Sequence, residues 1–393
     1  MSEDIIWGVE QSCFTLKVQA CLQHARRPYR RLPDQGSYLE NTRTLLSLEY
    51  AKHKKLVTRF PYFEEDLDEY PAVPFHSLDG KNFQYDSSSI ANWLDSVNQG
   101  KHSNLYPTDK LMNFIACLID EAFDEFGLYL VHHMRWVGSA KTNVMGKLLG
   151  KEFRHALPPG GQWVLSKHFP KRQVRRLPYL FSVAPISYQS GISKELTPPS
   201  RDGFPNTHNL LNESWAQYLK GMEAILAEQP YLLGHQFTIA DASAYGQLGM
   251  NLVDPEAAEK MREIAPITFK WLNNIYLGKH TEHTNPENDK LYLNDALKPL
   301  LNTIMSTFSA LMVQNAQAYD MAKKKNITSF NEAAFDQDLA LYDGQLRGYP
   351  FRSVVKTFQV RTWRSLCKKW ADLSEAEQSE LKEMVHMCEM FSA

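Results

Sequence analysis

Two side chains able to do oxygen or sulfur chemistry, Ser12 and Cys13, stand together where the apolar opening Ile5-Ile6-Trp7 gives way to a helical pattern over Cys13 to His24. Free amides and aligned peptide dipoles make a helix N-terminus favourable to an anion. The pair therefore either caps the helix or holds a thiol chemistry in place. Asp86-Ser87 is a second such place, an acid and a hydroxyl opening a helix that carries Ile90, Trp93, Leu94 and Val97. His132-His133 and His280 with His283 have no third ligand beside them, so a metal role is not favoured. The five cysteines, Cys13, Cys21, Cys117, Cys367 and Cys388, form no Cys-x-x-Cys, which excludes a zinc ribbon and a dithiol redox motif. No serine–histidine–aspartate spacing, phosphate loop or dinucleotide fingerprint is written in the chain.

The elements that must position these residues alternate at first. Ile5 to Val9 and Pro28 to Leu32 read as strands. Val73 to Leu78 and Asn82 to Tyr85 read as a hairpin turning at Asp79-Gly80. Between them, 44–60 has a helical pattern with Leu45, Leu48, Leu56 and Phe60 as its expected buried stripe. From Pro107 the pattern turns helical, with one long amphipathic stretch over 111–137. The proline-rich segment 139–206 reads as an irregular insertion with a short helix near Trp163 to Phe169. Helices resume over 209–228 and after Thr238. A third block follows residue 285: a long helix over 292–325 interrupted at Pro299, a hairpin at Asp343-Gly344, a helix over 357–371, and a capping box at Ser374 to Glu377. Three regions are expected: 1–100, 101–284 containing the insertion 139–206, and 285–393.

With 393 residues, 43% hydrophobic and 22% charged, the chain can bury sizeable cores. A net charge of −2 gives no reason to expect nucleic acid, and Lys171-Arg172 with Arg175-Arg176 reads as a solvated loop. No apolar run reaches the roughly 20 residues of a membrane span, and the apolar start is too short for a signal peptide. A cytoplasmic, soluble protein is the expectation.

Two stretches carry a resemblance. "VPFHSLDGKNFQYDSSSIANWLD" resembles the glutathione-binding half of the thioredoxin-like domain of glutathione transferases, with Val73-Pro74 before the third strand, the Asp79-Gly80 turn, and Asp86-Ser87 opening a helix. "YLLGHQFTIADASAYGQL" resembles the second domain of the same family through Gly234, Thr238 and Asp241. The resemblance covers about residues 4–138 and 207–278. It implies an α/β thioredoxin-like N-terminal domain and an all-α C-terminal-like domain, here followed by a mainly helical extension. It implies glutathione as co-substrate, no metal, a small hydrophobic electrophile and a homodimer. A cis Val73-Pro74 bond would present the Val73 backbone to the cysteinyl part of glutathione. Asp86 and Ser87 would hold the γ-glutamyl end, the acid meeting its ammonium. Thr238 and Asp241 are implied to serve folding.

Ser12 falls where the family's catalytic Ser or Cys stands, with Phe14 and Lys17-Val18 fixing the alignment. It is implied to stabilise the glutathione thiolate. Cys13 occupies the place of the proline in Cys-Pro-Phe relatives. A one-residue shift would make it the active thiol and change the chemistry to mixed-disulfide reduction. Tyr129, His133 and Trp136 are the expected electrophile-pocket residues. The rival from another class is a non-catalytic binding or scaffold protein that has kept the fold.

Overall fold

A computed structural model of the chain describes residues 3–60, 73–98, 100, 104–281 and 290–392. Asp4–Trp7 (β1) and Tyr29–Leu32 (β2) run parallel, joined by the crossover helix Cys13–His24 (α1). β1 also pairs antiparallel with Phe75–Ser77 (β3), and β3 with Gln84–Tyr85 (β4), giving the order β2-β1-β3-β4. Alternate side chains face opposite sides of this sheet. Trp7, Leu32 and Phe75 join Leu48 and Ala51 of Tyr38–His53 (α2), while Ile6 packs with α1 and with Ile90 and Leu94 of Ser87–Asn98 (α3). In the β3–β4 turn, Asp79 Oδ1 accepts from the amides of Lys81 and Asn82 at 2.8 Å. The bond from the Asn82 amide leads the causes that bring its pKa down to about 2.

α2 departs from the reading of 44–60. Its start is fixed earlier, where the Ser37 side chain accepts from the Glu40 amide, and it ends at His53. Leu48 is buried, whereas Leu45, Leu56 and Phe60 are exposed.

The helical body begins at Lys110–Ala122 (α4), capped by Asp109. It continues through a π-helical turn over Phe123–Gly127, Leu128–His133 (α5) and a second π-helical turn over Met134–Gly138. The insertion is more helical than its composition suggests, with Met145–Glu152 (α6) and Gly161–Arg175 (α7). The basic run therefore closes a helix instead of lying in a loop. His208–Leu226 (α8), Ile239–Gly249 (α9), Pro255–Ile264 (α10) and Pro266–Tyr276 (α11) complete this body. α9 opens with the expected capping box between Thr238 and Asp241, and Asp241 also accepts from the Leu232 amide at 2.8 Å. α1 lies against α9 at Gly246, where a Cβ would stand 2.6 Å from the Cys13 carbonyl oxygen. A thioredoxin-like layer followed by an all-helical body is the fold that the resemblance implies.

The extension holds Lys298–Ile304 (α12), a π-helical turn over Met305–Ser309, Ala310–Lys324 (α13) and Glu332–Asp336 (α14). Then come Leu341–Leu346 (β5), Tyr349–Val354 (β6), Thr357–Ala371 (α15) and Glu375–Met384 (α16). Pro299 lies in the first turn of α12, where its missing N–H breaks no bond, so it does not interrupt the helix. Among the described residues, Asp295–Lys324 is helical, long and apolar enough to cross a membrane by length and composition. Inside the molecule, 61% of its apolar window is buried. Asp343 and Gly344 sit within β5, opposite Arg352 and Phe351. The hairpin turns instead at Arg347-Gly348, whose φ values of 50° and 84° suit the tight turn that matches strand twist. α15 and the residues after α16 close over α4, with Trp370 and Phe391 rings 5.4 and 5.1 Å from that of Phe114.

Candidate active site

The end of α4 and the π-helical turn that continues it carry the sequence Asp120-Glu121-Ala122-Phe123-Asp124-Glu125. Residues four apart share a helix face, so the acids form two neighbouring pairs, 120/124 and 121/125. The first pair faces α1. Lys17, with no solvent exposure, donates from Nζ to Asp120 at 2.5 Å, Asp124 at 2.6 Å and Ser88 at 2.7 Å. Its three N–H groups thus have three acceptors. Burial disfavours the ammonium, but the two carboxylates outweigh it and hold its pKa above the ordinary lysine value. Ser243 of α9 donates to Asp124 at 2.7 Å, tying a third helix to the cluster.

The second pair, together with Asp124 of the first, lines a cavity of about 420 Å³. Phe14 of α1, Val73-Pro74 and Asp86-Ser87 form its thioredoxin-side wall, and Glu121, Asp124, Glu125 and Leu128 form the helical wall. The insertion contributes Arg176 and Tyr179, and the extension Phe330, Lys356 and Phe358. Lys356 Nζ donates to the Tyr179 carbonyl at 2.9 Å and lies 3.7 Å from that ring's centre. Arg176 pairs with Glu332 at 2.8 Å. Insertion and extension are therefore joined where they roof the cavity.

Charges in the walls differ in how they are answered. Asp86, at φ 72°, caps α3 by accepting from the Ser88 and Ser89 amides at 3.1 and 3.2 Å. Its other oxygen accepts from Arg59 and lies 3.7 Å from Arg361. Glu121 accepts from Thr362 of α15 at 3.4 Å. Burial pushes the Glu121 carboxyl well above the ordinary glutamate range, with Asp120 and Asp124 adding to it. Glu125 is pushed up to about 7, by burial first and then by Asp124, against a hydrogen bond from Gln359 and the charges of Lys356 and Arg361.

Of the residues singled out from sequence, the cavity gathers Val73, Pro74, Asp86 and Ser87, and the Val73-Pro74 bond is cis. Ser12 and Cys13 are not among its lining residues, although Phe14 is. Ser12 is half-buried at the N-cap position of α1, and its hydroxyl makes no capping bond. Cys13 is buried, and burial with the nearby Asp124 charge pushes its thiol up to about 12.

The three residues expected around an electrophile lie in the interior and do not line the cavity. Tyr129 is stacked on Phe181 and accepts from Gln359 at 2.8 Å; His133 meets Ser182 at 2.9 Å; Trp136 packs edge-on to Phe169. All three are nearly or wholly shielded from solvent, because Phe169, Phe181 and Ser182 of the insertion pack against them. His280 is buried, and His283 lies outside the described residues. Sequence reasoning missed Lys17 as an ion-pair centre and Glu121, Glu125, Arg59, Arg176 and Lys356 as wall residues. The doubled acids of α4 were a visible signal, since four carboxylates on an otherwise apolar helix require partners or a cavity.

No family model matches the chain, and no curated protein matches it. Among solved structures it is similar to the beta-etherase LigF from Sphingobium sp. strain SYK-6, at 14% identity over 72% of this chain and 98% of that one, with a TM-score of 0.41. It is also similar to the glutathione S-transferase CsGST63524 of Ceriporiopsis subvermispora in complex with glutathione, at 15% identity over 72% and 99%, with a TM-score of 0.41. A third is poplar glutathione transferase F1, at 16% identity over 72% and 96%, with a TM-score of 0.36.

Proposed function

We propose that the chain binds glutathione in this cavity and presents its thiol to a small hydrophobic electrophile. The observation carrying the reading is that Val73-Pro74 and Asp86-Ser87, separate in sequence, line one cavity with Phe14 and α4. The Val73 backbone would pair with the cysteinyl unit as an added strand does. Ser87, which opens α3 and lines the cavity, suits the γ-glutamyl carboxylate. Asp86, already capping α3 and meeting two guanidinium groups, fixes that end of the site. Tyr179, Phe330, Phe358 and Leu128 supply apolar surface for the second molecule. Holding both reactants in one cavity replaces an encounter in solution with a positioned attack.

Within this reading Ser12 is favoured over Cys13 at the sulfur. Its hydroxyl is not engaged in capping, whereas the Cys13 thiol is buried and resists ionisation. Titration of glutathione by calorimetry, with thiolate absorbance followed in parallel, tests the site. Saturable binding is expected, weakened roughly tenfold or more by Ser87→Ala through loss of a charge-assisted hydrogen bond. Ser12→Ala should keep the affinity and lose thiolate absorbance. No binding at millimolar glutathione would instead mean a fold kept without this ligand.

A further inference from the structure

Attack by glutathione requires its thiol to lose a proton, and a residue that receives it has to face the middle of the cavity. The stretch from the end of α4 through the first π-helical turn to the start of α5 offers four lining residues, Glu121, Asp124, Glu125 and Leu128. Glu125 lies between Glu121 and Leu128 in the chain, and all three line the cavity. Val73-Pro74 and Phe14 line the same cavity from the thioredoxin-like layer. We propose that the Glu125 carboxylate accepts the thiol proton of bound glutathione. This rests on the reading of the cavity as a glutathione site.

Each carboxylate of the walls has partners of its own. Asp124 is held by Lys17 and Ser243, Asp86 by Arg59 and the α3 amides, and Glu121 by Thr362. Glu125 has the neutral amide of Gln359 as its hydrogen-bond partner, and that side chain is itself fixed through the Tyr129 hydroxyl. The charged groups around it are Asp124 and Glu121 on its own helix, Lys356 and Arg361 from the extension, Asp86 and Arg59 from the thioredoxin-like layer, and Arg176 from the insertion. With a pKa near neutrality, Glu125 is ionised in mildly basic solution yet more basic than an ordinary glutamate. The π-helical turn Phe123–Gly127 in which it sits is a distortion that recurs at functional positions.

The step balances without a further reactant. The S–H bond breaks, its electron pair stays on sulfur, and an O–H bond forms on Glu125. A thiolate then faces a neutral carboxyl, so the two do not repel, and the one negative charge that Lys356 and Arg361 face has moved from Glu125 to sulfur. After attack, the carboxyl returns its proton to the anion of the product or to water.

The experiment titrates the full chain with glutathione at about pH 8, where a group of pKa about 7 is mostly ionised. Calorimetry in two buffers of different ionisation enthalpy counts protons, and absorbance counts thiolate. The thiolate beside Glu125 favours its neutral carboxyl, so the unaltered chain should form thiolate while releasing less than one matching proton. Glu125→Gln should either release about one proton per thiolate, more than the parent, or raise the midpoint of thiolate formation by about one pH unit, a tenfold weaker acid. S-methylglutathione, which has no thiol proton, should bind both forms within about twofold. An unchanged proton count and midpoint in Glu125→Gln, with glutathione bound, overturns the inference alone. Equal loss of S-methylglutathione binding also overturns it, by showing a merely structural role. Failure of the unaltered chain to bind either peptide overturns the glutathione reading and the inference together.

Discussion

The two acidic pairs at the junction of α4 and the first π-helical turn are offset by one residue in the chain and differ in the partners that answer them. Asp120 and Asp124 both pair with Lys17 of α1, which has no solvent exposure, whereas Glu121 and Glu125 have neutral partners from α15, Thr362 and Gln359, at the cavity that Asp124 also lines. One helix thus separates the charge that joins two layers from the charge available to a ligand. Identical chemistry becomes architecture or reactivity according to whether a cation of the same molecule reaches it.

The sharpest way to break this contrast is to remove the cation. Lys17→Met leaves two buried carboxylates unanswered and should cost about 3–5 kcal/mol, read as a lower urea midpoint. Adding Asp120→Asn and Asp124→Asn should restore a large part of that loss. A single variant as stable as the parent would mean that the first pair is not a structural device. On the cavity side the effect runs the other way. The folded pKa of Glu125 is about 7 against an ordinary 4.5, so the folded state binds more protons between those values and its stability falls as pH rises through them. Glu125→Gln removes that titration and should gain on the parent in thermal unfolding between about pH 5 and about pH 8. A constant difference across that range would contradict the contrast. The smallest effect is a control remote from both pairs. Ser374→Ala removes the cap of α16, including the bond from Ser374 Oγ to Glu377, and should cost about 1 kcal/mol without altering glutathione binding.

Much of the scaffold was legible because its signals are local. α1 and α15 begin and end where the periodicity places them, and the capping boxes at Thr238 and Ser374 form as written. Errors arose where a nearer signal hid the operative one. Asp343-Gly344 looked like the turn, yet strand pairing put it inside β5 and left the bend to Arg347-Gly348. The roof of the cavity was illegible for another reason. Phe14, Arg176 and Lys356 come together only through tertiary packing, and no spacing in the chain encodes that meeting. Tyr129, His133 and Trp136 show the converse: aromatic and imidazole groups on an amphipathic helix serve core and pocket equally well until neighbours are known.

Phe391 stacks on Trp363 at 5.0 Å and meets Phe114 edge-on, although about 280 residues separate it from that partner in the chain. During synthesis at about 5–20 residues per second, the outer face of α4 therefore waits tens of seconds for its cover. Phe114 and its neighbours are exposed to the cellular milieu throughout that interval. The helical body is a structure whose last stitch is also its latest, and a nascent chain halted before residue 391 carries a sticky, unfinished flank.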